Sequence, residues 1–198
     1  MFQGPIYSWC RDHRLHHKFS DTDLDPHDIK KGFFHSHVGW LLVNKSPELF
    51  AEGEKLDLSD LRKDSVIMFQ RRHFLLLAMT MTFVVPSTFC TYLAIIFSFI
   101  VPIIPAFLLS YTFNCYTLNS TWCVNSVCHM FGSRKWNPNI EPRDNYFVSF
   151  ITHGEGYHNW HHEYPYDWRA SKNDWYMINW TTTFISILAT LGLAKIKS

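Results

Sequence analysis

The apolar residues of this chain are concentrated in one central segment. From position 74 to about 111 the sequence is nearly uncharged, and polar stretches lie on both sides of it. The segment is about twice as long as the ~20 residues that one membrane-spanning helix needs. A Pro-Ser-Thr stretch at 86–88 can interrupt a helix near the middle. The pattern therefore predicts two transmembrane helices, over about 74–90 and 92–112, joined by a very short turn.

Basic residues lie at both ends of the apolar segment. Arg71 and Arg72 precede it, and Arg134 and Lys135 follow it. Positively charged flanks favour the cytoplasmic side of a membrane. Because two helices return the chain to the side where it entered, both polar blocks are predicted to form one cytosolic cap.

These patterns predict an all-α integral membrane protein in three parts. Residues 1–73 and 113–198 form the two parts of a cytosolic helical cap, and 74–112 form a transmembrane helical hairpin. Within the cap, 55–73 is predicted to be a polar helix. The apolar stretch 175–194 contains several polar residues, and it is predicted to lie on the membrane or against the cap, with a third span as the alternative.

Composition narrows the possible functions. The chain has 198 residues and a formal net charge of +1, so its bulk charge gives no reason to expect nucleic acid as a partner. Its five cysteines form no Cys-x-x-Cys pair, which argues against a disulfide framework or a cysteine zinc site. A reducing environment facing the cytosol is expected.

The chemistry of the chain is indicated by two identical histidine patterns. His-x-x-His-His occurs in both polar blocks, and in a helix its three side chains share one face. Six neutral imidazoles are too many ligands for one tetrahedral ion, so the pair of patterns predicts two metal ions. The predicted ligands are His13, His16, His17, His158, His161 and His162.

The kind of metal follows less directly from the residues. Structural zinc sites usually contain cysteine, and the His-Glu-x-x-His motif of zinc proteases does not occur in the chain. Soluble di-iron bundles use two Glu-x-x-His motifs together with two further glutamates, and this sequence has the motif once, at Glu155–His158. An all-nitrogen centre with two iron ions that activates oxygen is the better fit.

Longer motifs around these histidines resemble the membrane-bound fatty acyl-CoA desaturases. Asp12 to Ser20 (DHRLHHKFS) resembles their second histidine box, and Ser36 to Trp40 (SHVGW) continues the similarity. Gly154 to His162 (GEGYHNWHH) resembles the third box. Asn125 to His129 (NSVCH) resembles a segment that supplies further metal contacts. The similarity covers essentially the whole chain.

The resemblance implies a reaction and its partners. Family members use molecular oxygen and electrons from cytochrome b5 to insert a double bond into a long-chain fatty acyl-CoA, in the endoplasmic reticulum membrane with the histidine boxes facing the cytosol. It also implies that His129 is a direct ligand and that Asn125 holds a metal-bound water. For CoA it points to Arg11 and Lys45, although Asn44 replaces an arginine that is often found there.

Carboxylates near ligating histidines often accept the second imidazole N–H. By position in the sequence, the candidates for this role are Asp12, Glu155 and Asp167.

The family pattern also includes a first box, His-x-x-x-x-His, upstream of the second, and this sequence contains no counterpart. The chain is therefore predicted to be part of a longer desaturase and to be inactive alone. A related membrane hydroxylase or acyl-lipid desaturase, and a non-catalytic metal-binding membrane module, are the alternatives.

Overall fold

The computed structural model describes residues 4–96, 103–170 and 179–196, and these residues form helices joined by loops. The described part contains no strand, only two isolated β-bridges, so the predicted all-helical class is confirmed. The α-helices are α1 (Ile6–Phe19), α2 (Phe33–His37), α3 (Pro47–Glu54), α4 (Ser59–Lys63), α5 (Ser65–Arg72), α6 (Phe74–Met79), α7 (Val85–Ile96), α8 (Ile103–Met130), α9 (Tyr146–Thr152), α10 (His158–Glu163) and α11 (Trp180–Thr190). The start of the predicted 175–194 helix lies outside the described residues.

The chain forms two compact units. The first comprises Met1–Leu15 and Pro47–Leu118, and the second comprises His16–Ser46 and Asn119–Ser198. In the first unit, Tyr7, Leu58 and Leu61 are buried together, and the ends of α1 and α4 are also joined by Arg14, whose guanidinium pairs with Asp60 at 2.5 Å. The predicted division into membrane and cap segments follows different boundaries and stays a prediction.

The polar stretch 55–73 forms two helices instead of the single predicted one. α4 ends at Lys63, and Asp64 has an extended backbone. The Asp64 carboxylate accepts hydrogen bonds from the amides of Val66 and Ile67 at 2.8 and 3.1 Å. The interruption arises because the aspartate side chain caps a new helix, as Asp does readily at an N-cap.

The apolar helix does not break at the predicted position. α6, a π-helical turn (Thr80–Val84) and α7 follow one another without a break, so the helix passes through Pro86. Proline cannot donate a hydrogen bond to the carbonyl four residues earlier. That carbonyl belongs to Thr82, and Asn114 Nδ2 donates to it at 3.4 Å. The wide turn before Pro86 and this side-chain donor let the helix continue.

One helix among the described residues has the length and composition to cross a membrane. It covers Phe74–Tyr92, 19 residues with a mean hydropathy of 1.7, and only 11% of it is buried. Phe83 stacks on Phe107 of α8, with ring centroids 5.0 Å apart, so the two apolar helices are in contact. Part of the second predicted span, 97–102, lies outside the described residues, and the hairpin stays a prediction.

The second unit is built around tight backbone crossings. The backbone of Asp144 forms β-bridges with Ser133 on one side and Tyr157 on the other. Gly156 lies against the start of α9: a Cβ atom there would be 2.3 Å from both Asn145 O and Ser149 N. Glycine is therefore required two residues before the second triplet, because any larger residue would push α9 and α10 apart.

Replacing Gly156 with alanine should destabilise the protein by about 1–3 kcal/mol, because overpacking of that size costs about this much. Thermal unfolding of the purified protein should show a midpoint several degrees lower. Gly53→Ala is the matched control, since a Cβ atom there meets its nearest neighbour, Arg11 Cδ, at an ordinary 3.4 Å. Equal unfolding midpoints for the two variants would contradict the conclusion that the backbone crossing leaves no room for a side chain at position 156.

Candidate metal centre

Both histidine triplets lie on helices, as their spacing predicts. The first is on the last turns of α1, and the second is on α10. α10 has only six residues, and its N-terminal amides are capped by a distant side chain. The Asp144 carboxylate accepts hydrogen bonds from the amides of Asn159 and Trp160 at 2.9 and 3.3 Å. This cap stabilises a helix too short to be stable alone.

Asn159, on α10, holds the loop that comes before α9. Its side chain is fully buried, and its Oδ1 accepts hydrogen bonds from the amides of Trp136 and Asn137 at 2.8 and 3.0 Å. Its Nδ2 donates to the carbonyls of Asn137 and Pro142, both at 2.9 Å. Since this buried amide is fully hydrogen-bonded, it holds the second triplet at low energetic cost.

Four imidazoles converge in the second unit. His16, His129, His158 and His162 each present one nitrogen to a common centre, and these nitrogens lie within 4.8 Å of one another. Nε2 of His162 is 3.2 Å from Nε2 of His16 and 3.1 Å from Nε2 of His158. Nε2 of His129 is 2.9 Å from Nε2 of His158. We call these four residues the inner cluster.

Two buried carboxylates orient the inner cluster from behind. His16 Nδ1 lies 2.8 Å from Asp25 Oδ1, and His129 Nδ1 lies 3.0 Å from Asp21 Oδ1. Asp25 also accepts the amides of Asp21 and His27, each at 2.8 Å. Each carboxylate accepts the Nδ1 proton of its imidazole, so the Nε2 lone pair points into the cluster.

A second pair of imidazoles lies beside the inner cluster. His17 Nε2 is 3.0 Å from His161 Nε2. Each triplet therefore contributes to both groups. His16 of the first triplet and His158 and His162 of the second belong to the inner cluster. His17 of the first and His161 of the second form the outer pair. His13 is one turn earlier on α1, in the first unit, where its ring stacks on Trp9 with centroids 4.7 Å apart.

Burial keeps these imidazoles neutral. Desolvation and then the charge of His161 lower the pKa of His17 to about 3, and desolvation and then His16 lower the pKa of His161 to about 4. Desolvation is also the main cause that lowers the pKa of His158 and His162 well below the usual value. At neutral pH the rings are therefore in the form that binds metals.

His129 and Asp21 influence each other. Desolvation lowers the pKa of His129, although the hydrogen bond to Asp21 opposes the shift. Burial by itself would raise the pKa of Asp21, but the hydrogen bond from His129 and its charge bring that pKa below the usual value. The carboxylate therefore stays ionised and keeps its role as acceptor.

The donor set of the inner cluster suits a metal ion. Nε2 of His16 and Nε2 of His129 are acceptors, because the Nδ1 proton of each ring is donated to a carboxylate. With metal–nitrogen bonds of about 2.1 Å, ligands at right angles are ~3.0 Å apart. The 2.9 to 3.2 Å separations match this value. A cation at this centre would be coordinated by the four convergent ring nitrogens.

The remaining predicted site residues occupy other positions. Asn125 is on α8, one turn before His129. The Asp12 carboxylate accepts hydrogen bonds from Arg11 Nε at 3.0 Å and from Arg11 Nη2 at 2.8 Å. Lys45 is partly exposed in the loop before α3. Their predicted roles, a metal-bound water for Asn125 and substrate contacts for Arg11 and Lys45, stay predictions.

The sequence analysis did not predict which carboxylates contact the inner cluster. Asp167 lies against Arg169, whose Nε donates to it at 2.9 Å, and Glu155 is exposed. Asp12, Glu155 and Asp167 remain candidates, but Asp21 and Asp25 are the carboxylates that contact His129 and His16. The available signal was the density of aspartates directly after the first triplet, in the stretch DTDLDPHD at 21–28.

This arrangement belongs to a known class of proteins. The family model described as fatty acid desaturase matches residues 1–176, and the chain is a member of the fatty acid desaturase family.

Individual relatives are also similar to the chain. It is 45% identical over 197 residues to acyl-CoA desaturase 1 of Tachysurus fulvidraco, covering 98% of this chain and 57% of that protein. It is 48% identical over 193 residues to stearoyl-CoA desaturase of Mesocricetus auratus, and over 196 residues to that of Homo sapiens, covering 98% of this chain and 53% and 52% of those proteins. The chain spans about half the length of the curated relatives it matches.

Replacing Asp25 with asparagine should weaken metal binding by about 10- to 100-fold, the usual effect of losing a carboxylate behind a ligating histidine. Competition between the purified protein and a coloured chelator for Co²⁺ measures the change. Asp23→Asn, at an exposed position in the same loop, should bind as the unchanged protein does. Equal affinities for the Asp25 and Asp23 variants would refute the role of Asp25.

Stability should fall as the pH is lowered from about 6.5 to about 4. The folded pKa values of His17 and His161, about 3 and about 4, lie below the unfolded value, so the unfolded chain binds more protons in this range. Unfolding midpoints measured with chelator present should decrease steadily across this interval. The slope should be smaller in a variant with both histidines changed to glutamine, and unchanged in His153→Asn, at an exposed position. A flat profile for the unmodified protein would contradict the assignment.

Proposed function

We propose that the protein desaturates long-chain fatty acyl-CoA, using molecular oxygen and two iron ions held by its histidines. The observation that carries the proposal is the inner cluster beside the outer pair, in a member of the desaturase family: convergent imidazole nitrogens, with two of the rings oriented by buried carboxylates. Curated relatives named acyl-CoA and stearoyl-CoA desaturases support the choice of substrate.

The nitrogen-rich donor set supports two iron ions. The inner cluster offers four ligands to one ion, and the outer pair, with His13 as a further candidate, offers ligands to the other. Asn125, one turn before His129, is proposed to hold a metal-bound water. Imidazole also binds zinc and copper; the redox requirement of the reaction argues against zinc, and the resemblance to the desaturase family favours iron over copper.

The reaction requires an oxidant that side chains cannot provide. An alkyl C–H bond has no acidic proton, so acid–base groups cannot remove it, and iron with oxygen supplies this chemistry when bound. Two hydrogens leave neighbouring methylenes, and two electrons and two protons from outside complete the reduction of one oxygen molecule to two waters. We propose cytochrome b5 as the electron donor.

The residues of the chain have positioning roles in this scheme. Asp25 and Asp21 hold the protons on the Nδ1 atoms of His16 and His129, so that Nε2 stays available as a ligand. Arg11 and Lys45 are proposed to meet the phosphates of CoA, as positively charged groups do. Arg11 is paired with Asp12, so phosphate binding would require it to share or exchange that partner.

A membrane location is supported by the apolar helix Phe74–Tyr92. Leu75 and Leu76 on this helix are each 67% exposed, and Leu109 on α8 is 60% exposed, surfaces that suit lipid more than water. We propose that 74–112 form a transmembrane hairpin in the endoplasmic reticulum, with both triplets facing the cytosol. The positive flanks support this orientation.

Changing His16 or His161 to alanine should abolish desaturation, because each removes a nitrogen from a different group of ligands. The test uses a chimaera in which this chain replaces the aligned part of the Mesocricetus auratus relative, expressed in yeast that lacks its own desaturase. Lipid analysis by mass spectrometry measures the products. His35→Ala, outside both groups, should keep most of the activity. Each chimaera should also be analysed for iron, with about two ions expected for the active ones.

Activity of the His161 variant close to that of the unchanged chimaera would exclude the outer pair as a ligand. Failure of the unchanged chimaera, despite good expression and bound iron, would favour a non-catalytic metal-binding module.

A further inference from the structure

α2 contacts α8 along the face that ends at His129. His37 Nδ1 lies 2.9 Å from Ser126 Oγ, and His37 Nε2 lies 3.3 Å from Asn119 Oδ1. The His37 ring also meets the Trp122 ring edge-on, with centroids 5.8 Å apart. Positions 119, 122, 126 and 129 follow the spacing of one helix face. One side chain of α2 therefore contacts three successive positions on the stripe that leads to His129.

The residue before His37 contacts the same helix at its backbone. Ser36 is fully buried, and its Oγ donates to the carbonyl of Asn125 at 2.5 Å. In an α-helix this carbonyl is also the acceptor for the amide four residues later, which is that of His129. Ser36 therefore adds a second hydrogen bond at the carbonyl that pairs with the backbone of a proposed ligand.

α8 needs such support because His129 is its penultimate residue, and helix ends fray. Side-chain tips lie ~5–6 Å from a helix axis, so a rotation of ~20° moves them by about 2 Å. Ligand geometry tolerates only about 0.5 Å. The rotation of α8 thus decides whether Nε2 of His129 reaches the inner cluster.

We propose that Ser36 and His37 are positioning residues for the metal centre, which set the rotation of α8 and thereby the place of His129 and Asn125. The inference rests on the proposed function in one respect, that the inner cluster binds a metal. Ser36 and His37 are not ligands in this proposal. Their hydrogen bonds go to Asn125 and Ser126 of α8.

The hydrogen bonds of Ser126 also determine which ring nitrogen of His37 carries the proton. Ser126 Oγ donates to the carbonyl of Trp122 at 3.0 Å, so toward His37 it acts as acceptor and the proton lies on His37 Nδ1. Nε2 of a neutral His37 is then an acceptor, so its 3.3 Å approach to Asn119 Oδ1 is a contact and not a hydrogen bond, and Ser126 is the hydrogen-bonded partner of the ring. Removing the Ser36 hydroxyl leaves the Asn125 carbonyl its helical partner, so α8 should stay folded. The loss should therefore appear in the metal geometry before it appears in stability.

The test is Co²⁺ binding to the purified protein, followed by visible absorption and by competition with a coloured chelator. Ser36→Ala and His37→Phe should each weaken Co²⁺ binding by about 10-fold and change the shape of the cobalt spectrum, with unfolding midpoints close to that of the unmodified protein. Ser36→Thr keeps the hydroxyl and should restore the spectrum.

Ser149→Ala is the matched control. Ser149 is a buried serine of the second unit whose Oγ has no hydrogen-bond partner among the described residues. It should bind Co²⁺ as the unmodified protein does. An unchanged spectrum and affinity in both Ser36→Ala and His37→Phe would overturn the inference, as would an equal effect of Ser149→Ala. If the unmodified protein bound no Co²⁺, the metal centre of the proposed function would fail, and the inference with it.

Discussion

The hydrogen bond between a buried carboxylate and an imidazole is the interaction on which the proposed metal centre depends. Asp25 is almost completely buried, and burying a charge is costly unless it is well paired. It accepts three N–H groups, from His16, Asp21 and His27. By holding the amide of Asp21 it also places the second carboxylate, which contacts His129. One aspartate thus controls two of the four inner imidazoles.

The second triplet is held by a different device. α10 has no side-chain cap from its own N-terminal residue, and the Asp144 carboxylate accepts the amides of Asn159 and Trp160 instead. The Asn159 side chain ties the helix to the loop at 136–142. Desolvation raises the pKa of Asp144, but the hydrogen bonds from the amides of Trp160 and Asn159 and from Trp136 act in the opposite direction. Buried polar groups whose hydrogen bonds are all satisfied favour a single geometry. A purely apolar core specifies its geometry less strictly.

Some of this architecture was accessible from the sequence and some was not. The His-x-x-His-His spacing predicted two helical faces, because it depends only on local helix geometry. How the members of each triplet divide between inner cluster and outer pair depends on where α8 brings His129, which is a long-range contact. The roles of Asp21 and Asp25 were missed for a similar reason: a carboxylate in a loop has many local uses, and only the fold shows which imidazole it meets.

The apolar helix shows the same limit. Proline at 86 is a sound local signal for a break, yet the structure compensates through Asn114, which is far away in sequence and donates to the Thr82 carbonyl. In a hydropathy pattern, a polar residue such as Asn114 indicates the end of an apolar segment. In the structure it is the partner that allows the neighbouring helix to continue.

α8 changes its character along its length, and this change links the two halves of the proposed function. Phe107, Leu108 and Leu109 near its start are exposed, whereas Ser126, Cys128 and His129 near its end are buried. Its 28 residues extend about 42 Å, while the hydrocarbon core of a bilayer is about 30 Å thick. If α8 leaves the membrane near 112, as the proposed hairpin requires, its remaining turns project into the aqueous side, and the last of these turns carry Asn125 and His129.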